Sequence, residues 1–307
     1  MQDSPVSLKG LVYAILFASV IISFVILQPL LFPKTYITVC DIGQGDAIYI
    51  HQENGIDMLI DTGPNESVLE CLGKSMVFTD KHIDFIFISH PHVDHYGGLG
   101  HILSHYSVGG VYIPPVATKS TTFTKLLNSI RSQSNLSMLT AGTSLSLGDT
   151  SSIITLWPDD EYVKRNTSRH PLLEDVRFSD TNPNDFSLVQ LYTYNDASVL
   201  FTGDVSANIL LNLLTQNNIQ TVDMLKVPHH GSETGLTDEV LNIFRPGIAI
   251  ISAAKKNRYN HPSKNIIDML ELHRIPIFLT SQTGTVTFDY KEGDWKIRQS
   301  CFLVFSC

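Results

Sequence analysis

Apolar positions fall along this chain in two kinds of run. The first is long: residues 11–32 contain no charged residue, and Ser19, Ser23 and Gln28 are the main polar interruptions. At about 1.5 Å per residue a helix of that length spans a roughly 30 Å hydrocarbon core. The run is also apolar on every face rather than along one stripe. A cleaved leader competes with this reading, but its apolar region would be about 7–15 residues and end in small residues. Here the run ends in Gln28-Pro29-Leu30-Leu31-Phe32-Pro33. The expectation is an uncleaved, single-pass anchor in the cell membrane. Lys9 before the run and Lys34 after it leave only a slight lean towards a domain on the outer side.

The second kind is short and rich in β-branched residues, and it predicts strands over residues 36–40, 47–50, 58–60, 85–89, 198–202, 224–227 and 248–252. Most of these runs empty into Asp, His or Gly: Asp61-Thr62-Gly63, His90, Gly203-Asp204, and Pro228-His229-His230-Gly231-Ser232. Between them, residues 121–130, 209–214, 236–244 and 264–272 carry the apolar spacing of amphipathic helices. Residues 159–184 are polar, carry both charges, and read as an exposed insertion. The alternation predicts one α/β domain over residues 34–307, preceded by a tail and anchor over residues 1–33. In such domains a site gathers where strand ends and loops converge.

Bulk numbers narrow the function. With 307 residues and 43% hydrophobic content the chain has ample material for a core. A net charge of −9 excludes a broadly basic surface that coats nucleic acid. It leaves room for an enzyme that grips phosphates locally through bound metal. Four cysteines, Cys40, Cys71, Cys301 and Cys307, are too few for a disulfide scaffold and lack Cys-x-x-Cys spacing. One bridge near the C-terminus and buried free thiols both stay open.

The chemistry concentrates in His90-Pro91-His92-Val93-Asp94-His95-Tyr96-Gly97-Gly98. Three imidazoles and a carboxylate directly after an apolar run are the expected build for a metal site at a strand's C-terminal end. Neutral imidazole and carboxylate suit zinc, manganese or iron better than calcium or magnesium.

This block resembles the HxHxDH signature of the metallo-β-lactamase superfamily. Asp61 before the block, and Asp204 and then His229 or His230 after it, stand in the superfamily's order. Further stretches are similar to the hydrolase domain of the ComEC competence-protein family. These are Asp41-Ile42-Gly43-Gln44-Gly45-Asp46-Ala47, Asn184-Asp185-Phe186-Ser187-Leu188, the Pro228-to-Ser232 run, and Asn257-Arg258-Tyr259-Asn260-His261-Pro262. The similarity runs over residues 36–288. It implies a four-layer αββα sandwich and a hydrolase using two divalent ions, zinc or manganese. His90 and His92 would hold one ion, Asp94 and His95 the other, Asp204 would bridge them, and His229 or His230 would complete the second position. Two such ions lower the pKa of a shared water. Asp94 and His261 are the candidate catalytic residues. His261 either protonates a leaving oxygen or binds a phosphate, or it merely starts the helix from Ser263. Asp61 is expected to orient a ligating histidine, or else to cap the next helix. Asp41, Gln44 and Asp46 are expected to shape the turn beside the metals, with Ser232 in the substrate loop. Lys255, Lys256 and Arg258 offer a local positive patch.

Two departures qualify the resemblance. Competence proteins of this type carry an oligonucleotide-binding-like domain and a multi-helix channel, so this chain reads as a stand-alone or split hydrolase domain that cannot itself form a pore. Many superfamily members also place a third histidine before the later Asp. His101, His105 and His170 lie in no suitable context, and Asn184 and Ser187 stand at the expected place. The first metal position is then firmly held by His90 and His92 alone, with Asn184 or water filling the sphere. The resulting expectation is a phosphodiesterase acting on nucleic acid, single-stranded DNA favoured, linked to DNA uptake or processing at the membrane. A small-ester or lactone hydrolase, and a catalytically weak accessory of nucleic acid or a membrane channel, are the alternatives.

Overall fold

The computed structural model describes residues 8–31, 34–170 and 173–298. Two sheets carry the fold. In the first, eight strands run in the order Asp294–Ile297, Val286–Lys291, Tyr36–Val39, Ile48–His51, Asp57–Ile60, His82–Phe87, Ser107–Ile113 and Asn135–Met138. In the second, seven strands run in the order Ile277–Leu279, Arg245–Ile251, Thr221–Lys226, Ala197–Phe201, Val189–Tyr194, Ser151–Trp157 and Ser144–Ser146.

The strand period of two sorts the side chains into layers. Ile48, Ile50, Met58, Ile60 and Phe87 point inward, where they meet Tyr192, Val199, Phe201, Met224 and Ile250 of the second sheet. Their neighbours Tyr49, Leu59 and Ile86 point the other way. There they pack on the helices Ser67–Ser75, Leu99–His105 and Thr121–Gln133 through Leu72, Ile102 and Leu127. The second sheet has the same arrangement. Leu200, Leu225 and Ala249 face Leu210, Val240 and Ile266 of the helices Ala207–Gln216, Asp238–Ile243 and Lys264–Leu272. Strands buried on both faces read as unbroken apolar runs for this reason. The result is the expected αββα sandwich.

Parallel pairing positions the site. Asp57–Ile60 runs parallel to His82–Phe87, and Ala197–Phe201, Thr221–Lys226 and Arg245–Ile251 run parallel to one another. Their C-terminal ends therefore sit side by side, and the residues just beyond them meet.

Three expectations need correction. The anchor is the first. A helix does form over Leu8–Leu31, but among the described residues no helix is long and apolar enough to cross a membrane. The single-pass location at the cell membrane, and the attachment through residues 11–32 that supported it, fall with it. The second concerns residues 159–184, which are not a bare exposed insertion. They form the helix Asp160–Arg165 and the strands Thr167–Arg169 and Arg177–Ser179, which join Val116–Ala117 in a small third sheet. Val163, Leu173 and Val176 are buried there, and the charged residues lie on the outer side. The third is the cysteines. Cys40 and Cys71 are disulfide-bonded, so they are not free thiols. Cys301 and Cys307, where a C-terminal bridge stood open, lie outside the described residues.

Candidate metal centre

Each group of the site is held by a turn that follows a strand. After His82–Phe87, Ser89 and His90 lie fully inside, and the helix Val93–Tyr96 starts immediately after His92. That short helix turns Asp94 and His95 back towards His90, whose ring centroid lies 4.1 Å from that of His95. After Ala197–Phe201, Gly203 turns the chain with φ of 52°, and the backbone N–H of Asp204 donates to Ser187 Oγ at 3.0 Å. After Thr221–Lys226 comes Pro228–Gly231, in which His229 and His230 both adopt left-handed backbone, with φ of 52° and 55°. Such geometry in two successive non-glycine residues costs roughly 1–3 kcal/mol each.

All these turns aim at one atom. Asp204 Oδ2 lies 3.4 Å from His95 Nε2, 3.6 Å from His230 Nε2, 3.8 Å from His229 Nε2 and 3.9 Å from His90 Nε2. Asp94 Oδ2 lies 3.6 Å from His230 Nε2 and 4.0 Å from His95 Nε2. Ligands at about 2.0–2.1 Å from a tetrahedral zinc stand about 3.3 Å apart, so these separations are close to those of atoms sharing an ion. The far sides of two rings are already committed. His95 Nδ1 sits 2.7 Å from Asp61 Oδ2, and His230 Nδ1 donates to the Ser252 carbonyl at 2.9 Å. Those bonds orient the rings and leave Nε2 for a ligand. Asp61 is itself fixed by the Ser89 backbone N–H and hydroxyl, at 2.6 and 2.7 Å. It caps no helix, since Glu66 occupies the cap of Ser67–Ser75.

The buried atoms left over test whether a divalent ion suits this place. Nε2 of His90, His95 and His230 and Oδ1 of Asp204 lack hydrogen-bond partners, and an unsatisfied buried polar atom costs about 1–3 kcal/mol. Imidazole nitrogens and carboxylates with free lone pairs fit zinc or manganese.

A second set overlaps this one, because Asp46, His95, Asp204 and His230 also bring one ligand atom each within 4.8 Å of one another. Chemistry separates Asp46 from the rest. Its closest approaches to the two rings, 3.7 Å each, are to their Nδ1 atoms, which are taken. Its Oδ2 makes a 2.5 Å ion pair with Lys226 Nζ. Asp46 is thus a partner for a cation behind the site, and Asp94 completes the converging set.

Lys226 was not foreseen. It is buried, donates to the Gly203 carbonyl at 3.1 Å, and lies 3.7 Å from Asp204 Oδ1. Burial disfavours its ammonium, but Asp46, Asp204 and Asp61 outweigh that and raise its pKa. A signal existed: a lysine flanked by Met224, Leu225 and Val227 interrupts an otherwise apolar strand.

Charge is distributed by the same contacts. Burial disfavours the Asp204 and Asp94 carboxylates, yet His230 and His95 hold both well below the usual carboxylate range. Burial also lowers His90, His92 and His229, which keeps those rings neutral. His95 goes the other way: burial opposes its charge, and Asp204 and Asp61 raise it.

Above the converging atoms opens a cavity of about 410 Å³, lined by Gln44, His92, Asp94, Asn184, His229 and His261 among others. Arg258 and Tyr259 stand on its exposed rim, the guanidinium 4.7 Å from the ring centroid. His261 packs against His229 with centroids 5.5 Å apart. Asn184 reaches His229, Nδ2 to Nε2, at 3.3 Å. Other expected residues stand back. Asp41 is exposed and closes its own turn through the Gly43 N–H, and Ser232 Oγ pairs with Thr234 at 3.1 Å. Ser187 supports Asp204 from behind. Gln44 accepts from the Ala254 N–H at 3.4 Å.

The chain is 27% identical over 292 residues to ComE operon protein 3 of Bacillus subtilis (strain 168), covering 86% of this chain and 34% of that protein. Recombination protein 2 of Haemophilus influenzae is 29% identical over 117 residues, covering 38% of this chain and 15% of its own length. The chain thus spans about a third or less of the curated relatives it matches. Among solved structures, a long form RNase Z from yeast superposes with a TM-score of 0.53 at 11% identity, over 89% of this chain and 51% of that one. This last likeness concerns the fold. The profile of the Metallo-beta-lactamase superfamily matches residues 40–255, more than two thirds of the 307 residues. With that match, and with motifs and relatives of the ComEC type, the chain belongs to the metallo-beta-lactamase superfamily.

Proposed function

We propose that this protein is a phosphodiesterase that cuts nucleic acid, single-stranded DNA being the favoured substrate, with two divalent ions, zinc or manganese, as cofactors. The fold family and the ligand cluster support the broader activity of a metal-dependent hydrolase. The observation that carries the proposal is the convergence of four imidazole Nε2 atoms on Asp204 Oδ2 beneath a cavity with an arginine on its rim. A relative named for recombination, together with the competence-type motifs, supports DNA.

Two ions held by His90, His92, Asp94, His95, Asp204 and the His229-His230 pair would supply an activated water and positive charge for phosphoryl oxygens. The chain's own groups do the rest. Asp61 and the Ser252 carbonyl hold the rings of His95 and His230 so that Nε2 faces inward. Arg258 gives a phosphate a charged partner. His261, at the same cavity, delivers a proton to the leaving oxygen.

The test strips the protein with EDTA, reloads Zn²⁺ or Mn²⁺, and offers single-stranded DNA, duplex DNA, RNA and a lactone panel. Cleavage of nucleic acid is expected only after reloading. It should vanish in His95→Ala and Asp204→Ala and persist in His101→Ala, whose side chain is exposed on Leu99–His105. Lactone turnover without nucleic-acid cleavage would overturn the proposal in favour of a small-ester hydrolase. Metal binding with no turnover of any substrate would favour an accessory role.

A further inference from the structure

We infer that His229 and His230 are both metal ligands, one for each ion, and that His229 replaces the third histidine missing from the first position. The inference rests on the two-ion reading above but not on the substrate proposed there.

The second position is already full without His229. Asp94 Oδ2 and Asp204 Oδ2 face the Nε2 atoms of His95 and His230 at 3.4–4.0 Å. His229 Nε2 also reaches that Asp204 oxygen, at 3.8 Å, matching His90 Nε2 at 3.9 Å. Four rings thus gather within 4 Å of one carboxylate oxygen, more than a single ion that also takes Asp94 would need. His92 joins His90, their centroids 4.7 Å apart, and it lines the same cavity as His229.

Asn184 marks the place independently. It occupies the sequence position where a third histidine is expected, and its amide meets His229 Nε2 at 3.3 Å. The imidazole of His229 thus reaches the neighbourhood that the absent ring would fill.

The left-handed turn explains how adjacent residues serve two ions. In an extended strand, successive side chains point to opposite faces. In a left-handed turn they are rotated by roughly 100°, the mirror image of the helical step. Both rings can then approach one oxygen from different sides, their centroids 6.3 Å apart and their planes 65° from parallel. Gly231 continues the turn with φ of 80°, and a Cβ there would stand 2.6 Å from Pro262 Cβ.

Metal content, not cleavage, is the readout. Wild type, His229→Ala, His229→Gly and Asn184→Ala are dialysed against Zn²⁺ and counted by elemental analysis, and Co²⁺ loading is followed by its visible spectrum. Wild type should hold two equivalents and Asn184→Ala should keep both. Both His229 variants should keep one, losing the other by more than the roughly 10–100-fold in affinity that removal of an outer hydrogen-bond partner costs. Glycine accepts left-handed backbone, so loss in His229→Gly is not a folding artefact. If both His229 variants retain two equivalents at wild-type affinity, the inference fails while the two-ion reading survives. If wild type itself holds a single equivalent, both fail. Absence of nucleic-acid cleavage with two bound ions leaves the inference standing and removes only the substrate.

Discussion

Lys226 is the residue whose removal should separate stability from metal binding. Its ammonium is buried between Asp46 and Asp204, and deleting one partner of a buried ion pair leaves an uncompensated charge that costs about 3–5 kcal/mol. Lys226→Met should lower unfolding stability by that amount in urea titrations. Lys226→Met combined with Asp46→Leu should recover part of the loss, because the Asp46 carboxylate, the nearer partner at 2.5 Å, no longer stands unpaired. A double variant no more stable than the single would show that the pair is not the cause. At this scale the ligands were legible and their supports only partly so. His90, His92, Asp94 and His95 share one short block, so spacing alone announces them. Lys226 shows as a charge in an apolar strand, but its pairing with Asp46, like the bond from His230 to the Ser252 carbonyl, joins residues far apart in sequence, which no local pattern encodes.

Among the elements, turns matter more than strands. Gly45 has φ of 132°, and a Cβ on it would lie 2.2 Å from the Asp94 carbonyl oxygen. The loop before Ile48–His51 and the helix that carries Asp94 are thus in backbone contact, and Asp46 N–H donates to that same carbonyl at 3.3 Å. Gly45→Ala should push the helix aside and weaken metal binding by dialysis. Gly100 is the control, since it lies in Leu99–His105 with open space around it. Gly100→Ala should raise stability by about 0.5–1 kcal/mol and leave metal affinity unchanged. Equal metal affinity in Gly45→Ala and wild type would refute this coupling. Strands that end in ligands were readable as apolar runs. Ser107–Ile113 and Ser151–Trp157 are less legible, because their serines and glycines dilute the apolar signal.

For the whole molecule, the Cys40–Cys71 bridge ties the end of Tyr36–Val39 to the helix Ser67–Ser75, across a separation of 31 residues. The segment it closes contains Asp46 and Asp61. Closing a loop of that length removes unfolded-state entropy worth about 3–4 kcal/mol. Replacing both cysteines by serine should lower stability by that order, read from urea titrations with the midpoint and the slope both fitted, since a less constrained unfolded chain exposes more surface. Equal midpoints for the two proteins would refute it.

The sequence alone determined the class of chemistry, because ligand type and short spacing are local properties: three imidazoles and a carboxylate within six positions after an apolar run suit a transition metal wherever the chain goes. It determined the layered α/β fold for a similar reason, since residues that alternate or cluster by hydrophobicity must bury the same faces. Tertiary structure decided what depends on distance. The membrane anchor rested on the composition of one segment, and no described helix has the length and apolar character to meet it. The disulfide needed two cysteines brought 5.8 Å apart between Cα atoms. The choice between His229 and His230 was unreadable for the same reason: adjacent in sequence, both are carried by a left-handed turn to within 4 Å of Asp204 Oδ2.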